Sequence, residues 1–127
     1  WEHALRAGRP LEEILGDGDE ALVTVANLRN HDAFVLHAPV GSFKPNALGI
    51  YDGGGNVAEW VNDYYTVPTP GITTPVADPT GPERGTSYVI RGSSWRHAGQ
   101  TELRFSYRDF DSKARPDVGF RVARFAD

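Results

Sequence analysis

The 127-residue chain contains no cysteine. That absence removes disulfides, thiolate metal sites and cysteine catalysis together. It does not place the compartment, since a folded domain without cysteine can live anywhere. No run of roughly 18 apolar residues occurs, so no transmembrane helix and no membrane insertion by this chain are expected. A signal peptide is also missing, and a chain that opens on Trp1 reads as a piece of a longer protein. The G-x-S-x-G, P-loop, C-x-x-C and H-E-x-x-H patterns are absent. Positive charge is scarce early on: residues 1–83 hold 4 Lys/Arg against 12 Asp/Glu, whereas residues 84–127 hold 9 against 5. The net charge of -4 argues against nucleic-acid binding. An acidic part that binds cations, with a basic part packed against it, accounts for the asymmetry. A basic patch for an anionic ligand is the other reading.

The length fits one domain able to bury a core. With 14 Gly and 9 Pro, much of it is expected in turns and irregular loops. Trp1, Ala4 and Leu5 share one helical face, and Leu11, Ile14 and Leu15 share another between Pro10 and Gly16. Strands are expected near 21–26, 88–92, 103–107 and 119–124, with Val122 and Ala123 candidates for burial. The Pro-rich stretch 66–87 reads as a long surface loop, and the acidic GDGDE turn at 16–20 as a solvated one. Phe43, Tyr51, Trp60, Phe105 and Phe120 are the expected aromatic core.

The organising stretch is NALGIYDGGGNVAEWVNDYY, residues 46–65. Gly53, Gly54 and Gly55 let backbone carbonyls turn inward, and Asp52 and Glu59 flank them. Two carboxylates and free carbonyls around a tight loop suit a hard cation such as calcium. An empty glycine turn is the alternative. The same acids would repel a phosphate, and no Lys follows, so this is no phosphate loop. The following VAEWVNDYY forms either a strand or a helical turn, burying Val57, Trp60, Val61 and Tyr64.

Five segments also carry a resemblance. WEHALRAG, APVGSFKPNALGIYD, GIYDGGGNVAEW, VIRGSSW and VGFRVAR stand in the order of the motifs of the formylglycine-generating-enzyme (sulfatase-modifying-factor) family, which they resemble. The resemblance covers nearly the whole chain, but only the C-terminal half of the usual domain. It implies one domain over 1–127, an α+β fold of the C-type-lectin-like kind, with short strands, two short helices and long irregular loops. It implies structural calcium at two places. One is the glycine turn, through Asp52, Gly55, Val57 and Glu59. The other is Asn27, Leu28, Asp32 and Phe34, where the connection is shorter than in the family and an Asx-type turn without metal is the alternative. In the enzymes of this family two cysteines after the G-G-S motif bind copper. Those positions fall on His97 and Glu102 here, so the thiolate chemistry is impossible and no catalytic residue is assigned. Copper and iron are not expected as cofactors.

Trp95, Arg96, His97, Gln100, Glu102 and Arg104 lie nearest that position and form a candidate ligand surface, Trp and Arg being enriched at binding hot spots. Arg91, Arg108, Arg121 and Arg124 are expected to pair with Asp109, Asp111 and Asp117. The function implied is a noncatalytic, calcium-stabilised binding module for a protein, peptide or glycan. It would be the remainder of a larger bacterial protein, with an extracytoplasmic location. The alternative is a metal-dependent oxidoreductase of the sulfatase-modifying or ergothioneine-synthesis type that needs the missing N-terminal half.

Overall fold

The computed structural model describes residues 1–8, 33–67, 71, 77, 79–97, 99 and 101–124. Among the described residues one helix, α1 (Glu2–Arg6), precedes four strands: β1 (Ala58–Tyr64), β2 (Tyr88–Arg91), β3 (Arg108–Asp111) and β4 (Val118–Phe120). None of the described helices is long and apolar enough to cross a membrane. The expected strand 21–26 and the helix around Leu11–Leu15 lie outside the described residues, as do Asn27, Leu28, Asp32 and Gln100.

Helix α1 is short because its sequence stops it: Ala7 adopts φ 48 and Gly8 φ 84, the left-handed ending that closes a helix. Glu2 and Arg6, one turn apart, form an ion pair along it. The four strands form one mixed sheet in the order β3-β2-β1-β4. β1 runs antiparallel to β2 and parallel to β4. In β1, the segment left open as strand or helical turn, aromatic and β-branched residues favour the extended form.

Pairing places residues of adjacent strands on a common face. Glu59 lies opposite Arg91 and Gly119, so one face is charged; Trp60 lies opposite Ile90 and Phe120, so the other is apolar. Helix α1 packs on the charged face, with Glu2 on Arg91 and Trp1 on Glu59. Leu5, Ala38, Ala58, Val89, Ile90, Leu103 and Phe105 are the buried hydrophobic residues.

Several expectations fail for local reasons. Residues 101–106 are turns and bends rather than a strand, and β3 begins at Arg108. The alternating pattern there reflects Leu103 and Phe105 anchoring consecutive turns in the core. The last strand ends at Phe120, and residues 121–124 are exposed, Val122 and Ala123 included. Phe120 is 78% exposed and Tyr51 44% exposed, so neither belongs to the core; Trp60 and Phe43 are half-buried, and only Phe105 of the five aromatics is fully enclosed. Among the described residues β4 pairs with β1 alone, and nothing described packs over Phe120 to enclose it. Val57, Val61 and Tyr64 are half-buried rather than buried.

Candidate functional site

The glycine turn is built by three residues in left-handed backbone conformations: Asp52 (φ 54), Gly55 (φ 74) and Asn56 (φ 60). Asn tolerates this region better than other side chains, which explains an amide directly after the glycines. The buried Asn56 amide exchanges two hydrogen bonds with Ala38: Ala38 N–H donates to Oδ1 (2.9 Å) and Nδ2 donates to the Ala38 carbonyl (3.3 Å). The turn is also stapled to the RGSSW segment. Gly55 N–H donates to Ser93 Oγ (2.7 Å), and Trp95 N–H donates to the Asn56 carbonyl (2.7 Å). Gly53 is packed so tightly that a Cβ there would lie 2.5 Å from Leu5.

Asp52 and Glu59 sit in different surroundings. Asp52 Oδ2 accepts from Gly41 N–H (2.7 Å), while its Oδ1 is buried with no hydrogen-bond partner among the described residues. Glu59, 4% exposed, is engaged on both oxygens. Trp1 Nε1 donates to Oε2 at 2.8 Å, and Arg121 donates through Nη2 to Oε1 (2.7 Å) and through Nε to Oε2 (3.0 Å). The same Nη2 reaches the Tyr51 carbonyl at 2.8 Å. The Arg121 guanidinium is held charged above its ordinary range, chiefly by its hydrogen bonds to Glu59. These groups border a cleft of about 690 Å³. For the calcium that the fold family implies, the orphaned Asp52 Oδ1 is a fitting donor. Glu59 would serve such an ion while shared with Arg121.

Phe34, the one described member of the other expected calcium set, packs edge-on against Phe43 with ring centroids 6.2 Å apart.

On the basic side, Ser94 N–H donates to His97 Nδ1 (2.8 Å), which leaves the ring hydrogen of the neutral imidazole on Nε2. The His97 ring stands edge-on to Tyr107, centroids 5.9 Å apart. Burial, then Asp109 and Glu102, push the Tyr107 phenol up against the opposing effect of Arg115. Glu102 Oε2 and Trp95 Nε1 are both buried with no hydrogen-bond partner among the described residues. Arg96 lies over the Trp95 ring, 5.6 Å from its centroid, and Arg104 is exposed.

A Ser-His-Asp set is present in composition but not in function. The fully buried Ser94 donates its hydroxyl to Asp117 (3.1 Å), and His97 Nδ1, 3.3 Å from that hydroxyl, already accepts the Ser94 amide at 2.8 Å. The carboxylate orients the serine rather than the imidazole, so no nucleophile is activated.

The arginine pairings differ from those expected. Arg91 pairs with Glu2 and donates to the Phe105 carbonyl (2.6 Å), while Arg121 pairs with Glu59. Arg115 holds both Asp109 (2.7 Å) and the buried Asp117 (2.9 Å), and Arg96 adds a longer contact to Asp117. Sequence spacing missed these pairs because all but the Arg115 set join residues far apart in the chain. The charge asymmetry was the available signal: Arg91 and Arg121 of the basic part neutralise acids of the acidic part.

Comparison with known proteins bears on this arrangement. The family described as "Sulfatase-modifying factor enzyme 1-like domain" matches residues 1–126. The chain belongs to the sulfatase-modifying-factor family. Among its relatives, the formylglycine-generating enzyme of Streptomyces coelicolor is 32% identical over 100 residues, covering 76% of this chain and 32% of the enzyme. The serine/threonine-protein kinase Pkn1 of Chlamydia trachomatis is 32% identical over 127 residues, covering 98% of this chain and 20% of the kinase. The structure of Treponema denticola variable protein 1 superposes with a TM-score of 0.80 and 29% identity, over 94% of this chain and 43% of that one. This chain thus spans a third or less of these curated relatives and under half of that solved structure. Within the family the fold is the α+β, C-type-lectin-like one, here a four-stranded mixed sheet with very little helix.

Proposed function

We propose that this domain is a noncatalytic, calcium-stabilised binding module of the sulfatase-modifying-factor family, carried by a larger protein. One observation carries the reading. Where the family resemblance puts two copper-binding thiols, this chain has His97 and Glu102, and at this corner a buried acceptor (Glu102 Oε2) and a buried donor (Trp95 Nε1) have no hydrogen-bond partner among the described residues. Unpartnered buried polar atoms are costly, and a ligand that supplies the missing hydrogen bonds offsets that cost. With Arg96 and Arg104 at the rim, the surface offers donors, an acceptor and an aromatic face. Those are the groups that recognise a protein, peptide or glycan. The relation to a kinase of which this domain matches one fifth supports a module within a larger chain. The purified intact protein should form no formylglycine on a sulfatase-type cysteine peptide, with or without copper. Turnover proportional to protein and abolished by His97→Ala would overturn the reading in favour of metal-dependent oxidation.

Calcium belongs to the same reading. At the glycine turn it would be held by the Asp52 side chain, the Gly55 and Val57 carbonyls and Glu59, sharing the Glu59 carboxylate with Arg121. A weaker site at Asn27, Leu28, Asp32 and Phe34 is proposed alongside it. Calcium at about a hundredfold excess over its dissociation constant should stabilise the fold by roughly 2.7 kcal/mol. Asp52→Ala should remove that response, and Asp19→Ala should leave it. A melting temperature indifferent to both calcium and chelator would refute the site.

A further inference from the structure

The bulge in β1 makes a second site, on the face opposite α1 and apart from the His97 corner. Trp60 pairs with Ile90 and Tyr64 with Tyr88, so β1 takes four steps where β2 takes two. The surplus residues bend the strand and re-aim its side chains. They border an open surface groove of about 500 Å³. Small-molecule sites have volumes of about 300–1,000 Å³.

Trp60 and Asn62 line this groove from the bulge, Tyr88 from β2, and Ser112 and Lys113 from the turn after β3. The Tyr88 ring is fixed by stacking on Tyr64, centroids 4.6 Å apart, with the two hydroxyls 3.1 Å apart. The turn is fixed by Asp111, whose Oδ1 accepts from Ser112 N–H (2.7 Å) and Lys113 N–H (3.1 Å). Among the described residues the Lys113 ammonium has no ion-pair partner.

We infer that this groove binds a saccharide bearing a carboxylate. An indole and a phenol give flat apolar walls for the C–H face of a sugar ring. The Asn62 amide and the Ser112 hydroxyl each donate and accept, which matches neighbouring sugar hydroxyls. Lys113 is the only charged side chain among the described residues that line the groove, suited to a single carboxylate. A phosphate dianion is the poorer match, because Asp111 stands beside Lys113 and no arginine is among the described residues that line the groove.

The test is calorimetric titration of the intact protein with trigalacturonate, and with the neutral galactose trimer as comparison. Saturable binding of trigalacturonate is expected, about tenfold tighter than the neutral trimer, the usual weight of one hydrogen bond to a charged group. Lys113→Gln should erase that difference, and Asn62→Ala should weaken both trimers. Both residues are exposed, so neither change threatens folding, unlike Trp60→Ala. Unchanged melting temperatures would verify this. The inference is overturned if neither trimer binds, if Lys113→Gln and Asn62→Ala leave binding unaltered, or if polyglutamate binds as well as trigalacturonate. Binding lost in Glu102→Gln but kept in Lys113→Gln would move the sugar to the His97 corner and equally overturn it, leaving the proposed function standing.

Discussion

Replacing Arg121 by Met tests how the two differently charged parts of the chain are joined. Glu59 is almost fully enclosed, its side chain 5% exposed, and Arg121 makes the only ion pair it has among the described residues, at 2.7 Å. Breaking a fully buried pair at one partner costs about 3–5 kcal/mol, because a desolvated charge is left behind. Exposed pairs are worth roughly 0–1 kcal/mol. The Arg121 side chain is 38% exposed, so solvent screens part of the interaction and the loss should fall between these limits, near 2 kcal/mol. At about 2.1 cal/mol/K of unfolding entropy per residue, 127 residues convert that into a fall of about 7 °C in melting temperature. Calorimetry of Arg121→Met, Glu59→Gln and the double variant separates the pair from its surroundings. If the orphaned charge causes the loss, Glu59→Gln should recover part of it in the Arg121→Met background. Strict additivity, or an Arg121→Met melting temperature within a degree or two of the parent, would refute the reasoning.

Two further outcomes are expected. Burial raises the Asp117 and Glu2 carboxyls, but the Arg115 and Ser94 hydrogen bonds on one and the Arg6 and Arg91 pairs on the other outweigh it. Both therefore titrate below their ordinary values of 3.8 and 4.5. A depressed folded value means the contribution is present above the ordinary value and lost as pH falls through the lowered one. The melting temperature should therefore drop with acid from about pH 4.5 downward, and Asp117→Asn should flatten that drop. Gly53→Ala should destabilise by about 1–3 kcal/mol through overpacking against the buried Leu5. Denaturant titration measures it, and Leu5→Val in the same chain should recover part of the loss.

What could be read from the sequence is what local chemistry decides. The tight turn after Tyr51 is signalled by its three glycines, although only Gly55 of them is left-handed and Asp52 and Asn56 share that conformation, and β2 is signalled by the run Tyr88–Arg91. The family motifs gave the fold and the replaced thiols without any contact information. Alternation misled at 101–107, where period-two apolar residues mark successive turns that dip into the core. It misled again at Phe120 and Val122, because a strand pattern does not tell whether a neighbour covers it. The pairings of Glu59 with Arg121 and of Glu2 with Arg91 span 62 and 89 positions, beyond any local signal. The saccharide groove depends on a bulge, which is a mismatch between two strands and so is invisible in either one alone.

The parallel pairing of β1 with β4 has a consequence for how the molecule is made. β1 lies in the middle of the sheet, yet the segment that closes its open side, Val118–Phe120 with Arg121 behind it, is synthesised some sixty residues later. Until then the buried acid of β1 has no guanidinium and the strand has a free hydrogen-bonding edge. Closing so long a loop costs chain entropy before any contact repays it, so the domain should fold slowly for its size. A nascent chain paused before residue 118 would present Glu59 uncompensated and one side of β1 unpaired, the state most open to chaperone capture and to pairing with the wrong strand.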